Sequence, residues 1–294
     1  VPDQGARPAR PAQGRGSPGP PGAPHPVSEA AREGLAALVA RPSRALIALD
    51  FDGTLSPIAG DAAAARSHPQ AVPALRALAP LAGTLAVITG RPAAQAVELG
   101  GLDRVPGLIV LGIYGRQRWQ DGSLSGPPPP PGVQAAREQL PALLAAAGAA
   151  PGTWTEDKGD AVAVHTRRAA APAQALAALR GPLAELAERV GLVLEPGRLV
   201  LELRPPGPDK GQALKDLVEE RDAAAVLYCG DDLGDVPAFR AVAQLREQGI
   251  PGVTVCSGSS EVPVLAGLAD IVVSGPEGVV GLLGWLTRAF SGRG

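Results

Sequence analysis

From Ser28 onward the apolar positions of the chain alternate between two rhythms. In "SEAAREGLAALVA" they recur every three or four residues, which predicts an amphipathic helix with Ser28 as its cap. An unbroken apolar run follows, "ALIALDF", then a helical pattern, "PQAVPALRALAPL", a second run, "GTLAVITG", a helix, "PAAQAVELGGL", and a third run, "LIVLGIYG". Continuous apolar strands separated by helices predict a parallel sheet covered on both faces. The same rhythm returns in "DKGQALKDLVEER", "AAVLYCGDD", "DVPAFRAVAQL", "PGVTVCSG" and a closing helix.

Between these halves, after "SGPPPPPGV", the pattern changes. A helix, "VQAAREQLPALLAAAG", leads to "TWTEDKG" and "DAVAVHTRR", whose alternating positions predict a hairpin. A second helix, "APAQALAALRGPLAELAERVG", precedes "LVLEPGRLVLELRP", read as two strands around a Pro-Gly turn. Residues 127–207 therefore form a small α+β unit inserted into an α/β domain made of 27–126 and 208–294. Residues 1–26, rich in Pro, Gly, Ala and Arg and lacking periodicity, read as a disordered tail.

Composition adds bounds rather than direction. A chain of 294 residues with 45% apolar content can bury a sizeable core, but aromatics are 3% and Met is absent, so Ala, Leu and Val carry the packing. A net charge of -2 with interspersed signs gives no electrostatic case for nucleic acid or an anionic membrane, and favours a small polar ligand. Cys229 and Cys256 lie in apolar, strand-like settings and read as reduced core thiols. No continuous apolar leader marks a secretory signal, and "GVVGLLGWLTRAF" is too short to span a bilayer, so a cytoplasmic, soluble protein is expected.

The candidate chemistry sits where the apolar runs end. "ALIALDFDGT" carries a strand directly into Asp50 and Asp52, and "VLYCGDDLGD" does the same with Asp231, Asp232 and Asp235. Carboxylates held this close repel one another and are costly to bury without a cation. Ligand sites in parallel sheets form beyond the carboxyl ends of the strands, where hard oxygens from two strand ends suit Mg²⁺ together with a substrate phosphate. Thr89 and Gly90 in "TGR" offer a hydroxyl and an exposed N–H to a phosphate, and Lys210 in "DKG" offers a compact positive charge. Metal, lysine and oriented donors are what a phosphoryl group in transfer requires. In that reading Asp50 attacks phosphorus, forming an aspartyl-phosphate, while Asp52 protonates the departing oxygen and later activates water. Gly53, Thr54 and Arg91, in the same motifs, complete the substrate-facing set.

The four motifs in this order resemble those of the haloacid dehalogenase superfamily of phosphotransferases. The resemblance implies a Rossmann-like α/β core with an α+β cap. It also implies Asp50 as nucleophile, Asp52 as general acid/base lending its backbone carbonyl to the metal, Thr89 as phosphate binder and Lys210 as charge stabiliser. Asp231 becomes a direct metal ligand, with Asp232 and Asp235 in the metal site or beside it. Together "TEDKGDAVAVHTRR", "LEPGRLVLELRPPGPDKG" and "VLYCGDDLGDVPAF" are similar to the trehalose-6-phosphate phosphatases, over about Ala45 to Phe239. That likeness implies a cap whose Glu156, Lys158, His165, Arg167, Glu202 and Arg204 read a disaccharide. A site built from converging carboxylates and amines rejects ligands that lack the matching hydroxyls.

The expectation is thus a Mg²⁺-dependent phosphatase acting on trehalose 6-phosphate, with a phosphosugar as its ligand and a trehalose-6-phosphate synthase as a partner to be considered. Two alternatives stay open. One is a phosphatase for another phosphosugar, such as sucrose phosphate or a mannosyl phosphate. The other is a silent sugar-phosphate-binding partner of the synthase, which loss of Asp50 or Lys210 would have signalled; both are present. One departure stands out: "GIYGRQRW" places Gln117 where the family often has glutamate, and Gln117 is left outside the candidate site.

Overall fold

The structure, a computed structural model, describes residues 28–59, 62–207, 209–258 and 263–292. The Pro/Gly/Arg-rich segment 1–26 lies outside the described residues. The chain enters through helix α1 (Glu29–Ala40), where the Ser28 hydroxyl accepts the Ala31 N–H. It continues through β1 (Ala45–Leu49), α2 (Ala71–Leu78), β2 (Thr84–Ile88), α3 (Ala93–Gly100) and β3 (Ile109–Gly112), and then a hairpin of β4 (Gln117–Gln120) and β5 (Ser123–Ser125). The inserted block follows as α4 (Pro131–Ala146), β6 (Trp154–Asp157), β7 (Val162–His165), α5 (Pro172–Arg189), β8 (Val193–Gly197) and β9 (Val200–Arg204). The chain then returns through α6 (Lys210–Glu220), β10 (Ala225–Gly230), α7 (Val236–Glu247), β11 (Gly252–Gly258), α8 (Pro263–Leu268), β12 (Ile271–Ser274) and α9 (Gly275–Phe290).

The larger sheet has the order β12-β11-β10-β1-β2-β3-β4-β5, parallel as far as β3 and antiparallel beyond it. Alternate residues of β1 serve opposite faces: Ile47 and Leu49 join one apolar cluster with α1, α2 and α9, while Leu46 and Ala48 join another with α6 and α7. Burying such an aliphatic side chain stabilises the fold by about 1.5–3 kcal/mol, which is why these strands read as unbroken apolar runs. From β1 the chain builds outward on one side to β2 and β3, and on the other to β10, β11 and β12. The order reverses between β1 and β10, so their carboxyl ends open a crevice where ligands bind in sheets of this kind.

The cap is a four-stranded antiparallel sheet, β6-β7-β9-β8, with α4 and α5 packed on one face through Val162, Val164, Leu201 and Leu203. Alternation turns the intervening residues to the opposite face. There Glu156, Ala163, Glu202 and Glu195 stand in one cross-strand row. The expected Pro-Gly turn is displaced: Pro196 and Gly197 are strand residues paired with Leu201 and Val200, and the reversal falls on Arg198 and Leu199, with Leu199 at φ +55°. β8 is an edge strand, which tolerates a proline because the ladder asks for no N–H there. Both cysteines are buried free thiols.

Candidate active site

Backbone bonding first fixes where the acidic loops leave the sheet. The Asp50 N–H donates to the Cys229 carbonyl (2.8 Å), so β1 and β10 end side by side. Gly53 follows at φ +72°, and a Cβ there would lie 1.9 Å from the Asp231 carboxylate; only glycine lets the two loops meet. Carboxylate oxygens of Asp50, Asp231 and Asp235 consequently lie within 4.8 Å of one another, all buried.

These three acids are not equivalent. Asp235 Oδ1 accepts from Lys210 Nζ (2.8 Å) and the Tyr228 hydroxyl (2.7 Å), and Oδ2 from the Asp231 and Asp232 N–H groups (2.9 and 3.1 Å). Four donors saturate that carboxylate, making it the anchor of the loop. Lys210 opens α6 and also pairs with Asp50 (2.9 Å). Burial, opposed by Lys210 and reinforced by Asp235 and Asp232, pushes the Asp50 carboxyl well above the carboxylate range. Burial and the neighbouring Asp50 do the same to Asp231. Both groups are therefore short of positive charge. The Lys210 ammonium is held charged because Asp235 and Asp50 outweigh its burial. A buried set of hard oxygens with excess negative charge fits a divalent cation such as Mg²⁺.

Asp232 faces the cleft while its Oδ1 caps the next turn through the Gly234 N–H (2.8 Å). Asp52 is gripped by both prongs of Arg91, Nε to Oδ2 at 2.6 Å and Nη2 to Oδ1 at 2.7 Å. Thr89 Oγ1 accepts the Arg91 N–H (3.1 Å), which fixes the "TGR" turn. Thr54 is fully buried, its hydroxyl without a hydrogen-bond partner among the described residues.

Above this floor the cap closes a cavity of about 400 Å³. Each glutamate of the cross-strand row has its own nitrogen partner. Glu156 Oε2 meets His165 Nε2 at 2.8 Å, Glu202 binds Lys158 Nζ, and Glu195 accepts from Arg204 Nη2 at 3.0 Å. The His165 bond, against burial and with help from Lys158, holds Glu156 below the usual carboxylate range. Burial disfavours the Lys158 ammonium, but Glu202 outweighs it and pushes the pKa up. The small Ala163 between Glu156 and Glu202 leaves that face open. Arg167 is exposed and reaches the Ala59 carbonyl (3.2 Å) on the core side.

The sequence-predicted residues accordingly fall into three places. Asp50, Asp52, Thr89, Gly90, Arg91, Asp232 and Lys210 line the cavity from below; Glu156, Lys158, His165, Arg167 and Glu202 line it from above. Gly53, Thr54, Asp231 and Asp235 lie beneath the floor, and Arg204 sits behind the row, its guanidinium 5.0 Å from the Tyr114 ring centre. Five further residues are brought in that the motifs did not mark. Tyr228 supports Asp235. Trp154 stacks on His165 with ring centres 4.6 Å apart, and Arg168 also sits over its ring. Glu195 completes the carboxylate row. Gln95 lines the cavity with a buried amide oxygen that has no hydrogen-bond partner among the described residues. Tyr114 follows Ile113 in a left-handed pair (φ 58° and 46°), and this strained backbone lays its hydroxyl against Gly90, where a Cβ would come within 2.8 Å. Only Tyr114 had a visible signal, lying in the "GIYG" turn at the end of an apolar run.

Known proteins share this chain's sequence pattern and fold. The family model described as "Trehalose-phosphatase" matches residues 48–274. A trehalose-phosphate phosphatase of Mycobacterium marinum is 35% identical over 213 residues, 68% of this chain and 52% of that protein, so the chain spans about half the length of the relative. The C-terminal domain of C. albicans trehalose-6-phosphate phosphatase superposes with a TM-score of 0.72 at 21% identity, over 90% of this chain and 98% of that one. A haloacid dehalogenase-like hydrolase from Bacteroides thetaiotaomicron shares the fold at a TM-score of 0.56 and 16% identity, over 82% and 98%. With its core motifs and cap strands inside the matched segment, the chain belongs to the trehalose-phosphatase family, built on the haloacid dehalogenase fold.

Proposed function

We propose that the protein hydrolyses trehalose 6-phosphate to trehalose and phosphate through an aspartyl-phosphate on Asp50. One observation carries this reading: Asp50, paired with Lys210 and crowded by Asp231, lies at the floor of a cleft whose roof is a row of individually paired carboxylates. The floor suits a phosphoryl group and the roof suits a polyhydroxylated ligand. Mg²⁺, held by the Asp50 and Asp231 carboxylates with the Asp52 carbonyl, would supply positive charge to the phosphoryl oxygens.

The protein's own groups account for the remaining steps. A carboxylate oxygen of Asp50 forms the new P–O bond as the bond to the sugar oxygen breaks, and Lys210 stabilises the charge that spreads over the phosphoryl oxygens. Asp52 gives its proton to the leaving sugar oxygen, then takes one from the water that attacks phosphorus and frees Asp50. The Arg91 fork occupies both Asp52 oxygens, so proton transfer requires one of those bonds to open. Lys158, Glu202, Glu156 and His165 bind sugar hydroxyls, exchanging internal partners for ligand ones. The Gln95 amide oxygen, buried without a donor among the described residues, suits a hydroxyl donor from the same ligand.

The test is phosphate release from trehalose 6-phosphate, glucose 6-phosphate, sucrose 6-phosphate and an aryl phosphate, each with Mg²⁺ and with EDTA. Metal-dependent preference for trehalose 6-phosphate is the expected result. Preference for another phosphosugar would keep the floor chemistry and overturn the reading of the roof; no release from any of them would overturn both.

A further inference from the structure

Gln117 begins β4, and its side chain crosses from core to cap. Its Oε1 accepts the Ala93 N–H at 2.9 Å, and its Nε2 donates to Asp160 Oδ2 at 3.2 Å. Ala93 opens α3 directly after the Thr89–Pro92 loop, and its N–H is one of the donors that a helix start leaves without an internal partner. Asp160 is 3% exposed and belongs to the turn between β6 and β7. Within that turn the Asp160 N–H donates to the Lys158 carbonyl (3.1 Å), and the Lys158 N–H to the Ala161 carbonyl (3.0 Å). One carboxamide thus joins the phosphate-facing loop of the core to the turn that carries Lys158.

The two ends of this bridge ask for opposite chemistry. Ala93 requires an acceptor and Asp160 a donor, and where a carboxylate supplies only the first, the amide supplies both. A glutamate would still serve Ala93, but would set carboxylate against carboxylate at Asp160. Arg116 does not replace that bond: its Nε lies 3.5 Å from the same Asp160 oxygen and makes no hydrogen bond among the described residues, adding charge without direction.

We propose that Gln117 is a positioning residue, an amide latch that sets the Lys158 turn of the cap on the phosphate loop of the core. The latch stands on geometry alone; its kinetic consequence rests on the reading of Lys158 as a sugar-binding group. Gln117→Glu breaks the cap side of the bridge and keeps the core side. Adding Asp160→Asn hands the new carboxylate an amide donor and remakes the bridge with its polarity reversed.

Two readouts test this in the full chain. Hydrogen exchange of the Lys158 and Asp160 amides is expected to quicken about tenfold or more in Gln117→Glu and to return toward wild type in the double variant. In parallel, KM for trehalose 6-phosphate is expected to rise roughly tenfold and to recover in the double variant, with aryl phosphate turnover held within about twofold. Unchanged exchange in Gln117→Glu, or a double variant no better than the single one, overturns the latch. If the wild-type protein releases no phosphate from any phosphosugar, the functional reading falls, and the exchange data alone decide the latch.

Discussion

Asp50 and Asp235 share the Lys210 ammonium, with Asp231 and Asp232 close beside them, and the consequences attach to individual side chains. Asp50→Asn keeps the shape of the nucleophile and removes its charge. Phosphate release is expected to fall by roughly 10⁴-fold or more, with Tm within a few degrees of wild type, checked by steady-state kinetics beside thermal unfolding. Because Asp50 and Asp231 repel each other, a cation that binds only the folded chain stabilises it. Mg²⁺ at about a hundred times its Kd is expected to add roughly 2.7 kcal/mol, or about 5–10 °C in Tm, an effect that EDTA reverses. Gly53→Ala forces a Cβ onto the Asp231 carboxylate at a left-handed φ, so that variant is expected to lose the Mg²⁺-dependent shift. A full shift in Gly53→Ala would place the cation elsewhere.

At the scale of elements, Asp270 ties four of them together. It precedes β12, accepts from the Thr254 N–H and hydroxyl of β11 (both 2.9 Å), pairs with Arg246 of α7 and receives the Ser28 hydroxyl at the start of α1 (3.3 Å). Burial opposes its ionisation, but Arg246 and the Thr254 N–H outweigh burial and hold its pKa below the ordinary 3.8. A carboxyl with a depressed folded-state pKa stabilises fully above its unfolded value and loses that contribution as pH falls through the folded one. Asp270→Asn is therefore expected to cost about 2 kcal/mol, roughly 4–8 °C in Tm, at pH 5 to 7, with the gap to wild type closing below 3.8. A gap that stays constant into acid would mean that charge is not what Asp270 contributes.

The same scale shows why some elements were legible in the sequence and others were not. Buried parallel strands such as β1 and β10 announce themselves because both faces must be apolar. The β4–β5 hairpin escaped because its residues are polar and half-exposed, although Asp121-Gly122, both left-handed, carries a turn signature that a reading of apolar runs passes over. Pro196-Gly197 misled in the opposite direction, since an edge strand accepts the residues that usually mark a turn.

For the molecule as a whole, the proposed function depends on two sheets meeting across one cavity. The floor was readable from sequence because its acids follow apolar runs and so sit at strand ends. The roof was readable only by likeness, since cap residues such as Glu156 and Glu202 look like ordinary surface pairs until strand register aligns them. Gln117 showed only as a departure in the "GIYGRQRW" stretch and Gln95 not at all: what matters is which atoms they face, and that is set by packing between segments far apart in the chain. This division of labour makes a claim about selectivity. Lys158→Ala strips the roof of its central cation and strands Glu202, so kcat/KM for trehalose 6-phosphate is expected to fall about 10²–10³-fold. The measurement that tests the division most directly is the ratio of kcat/KM for trehalose 6-phosphate to that for an aryl phosphate, in wild type and in Lys158→Ala. A ratio that collapses about a hundredfold, with the aryl phosphate losing far less, is the expected result; equal losses on both substrates would contradict a cap that reads the sugar over a core that handles the phosphate.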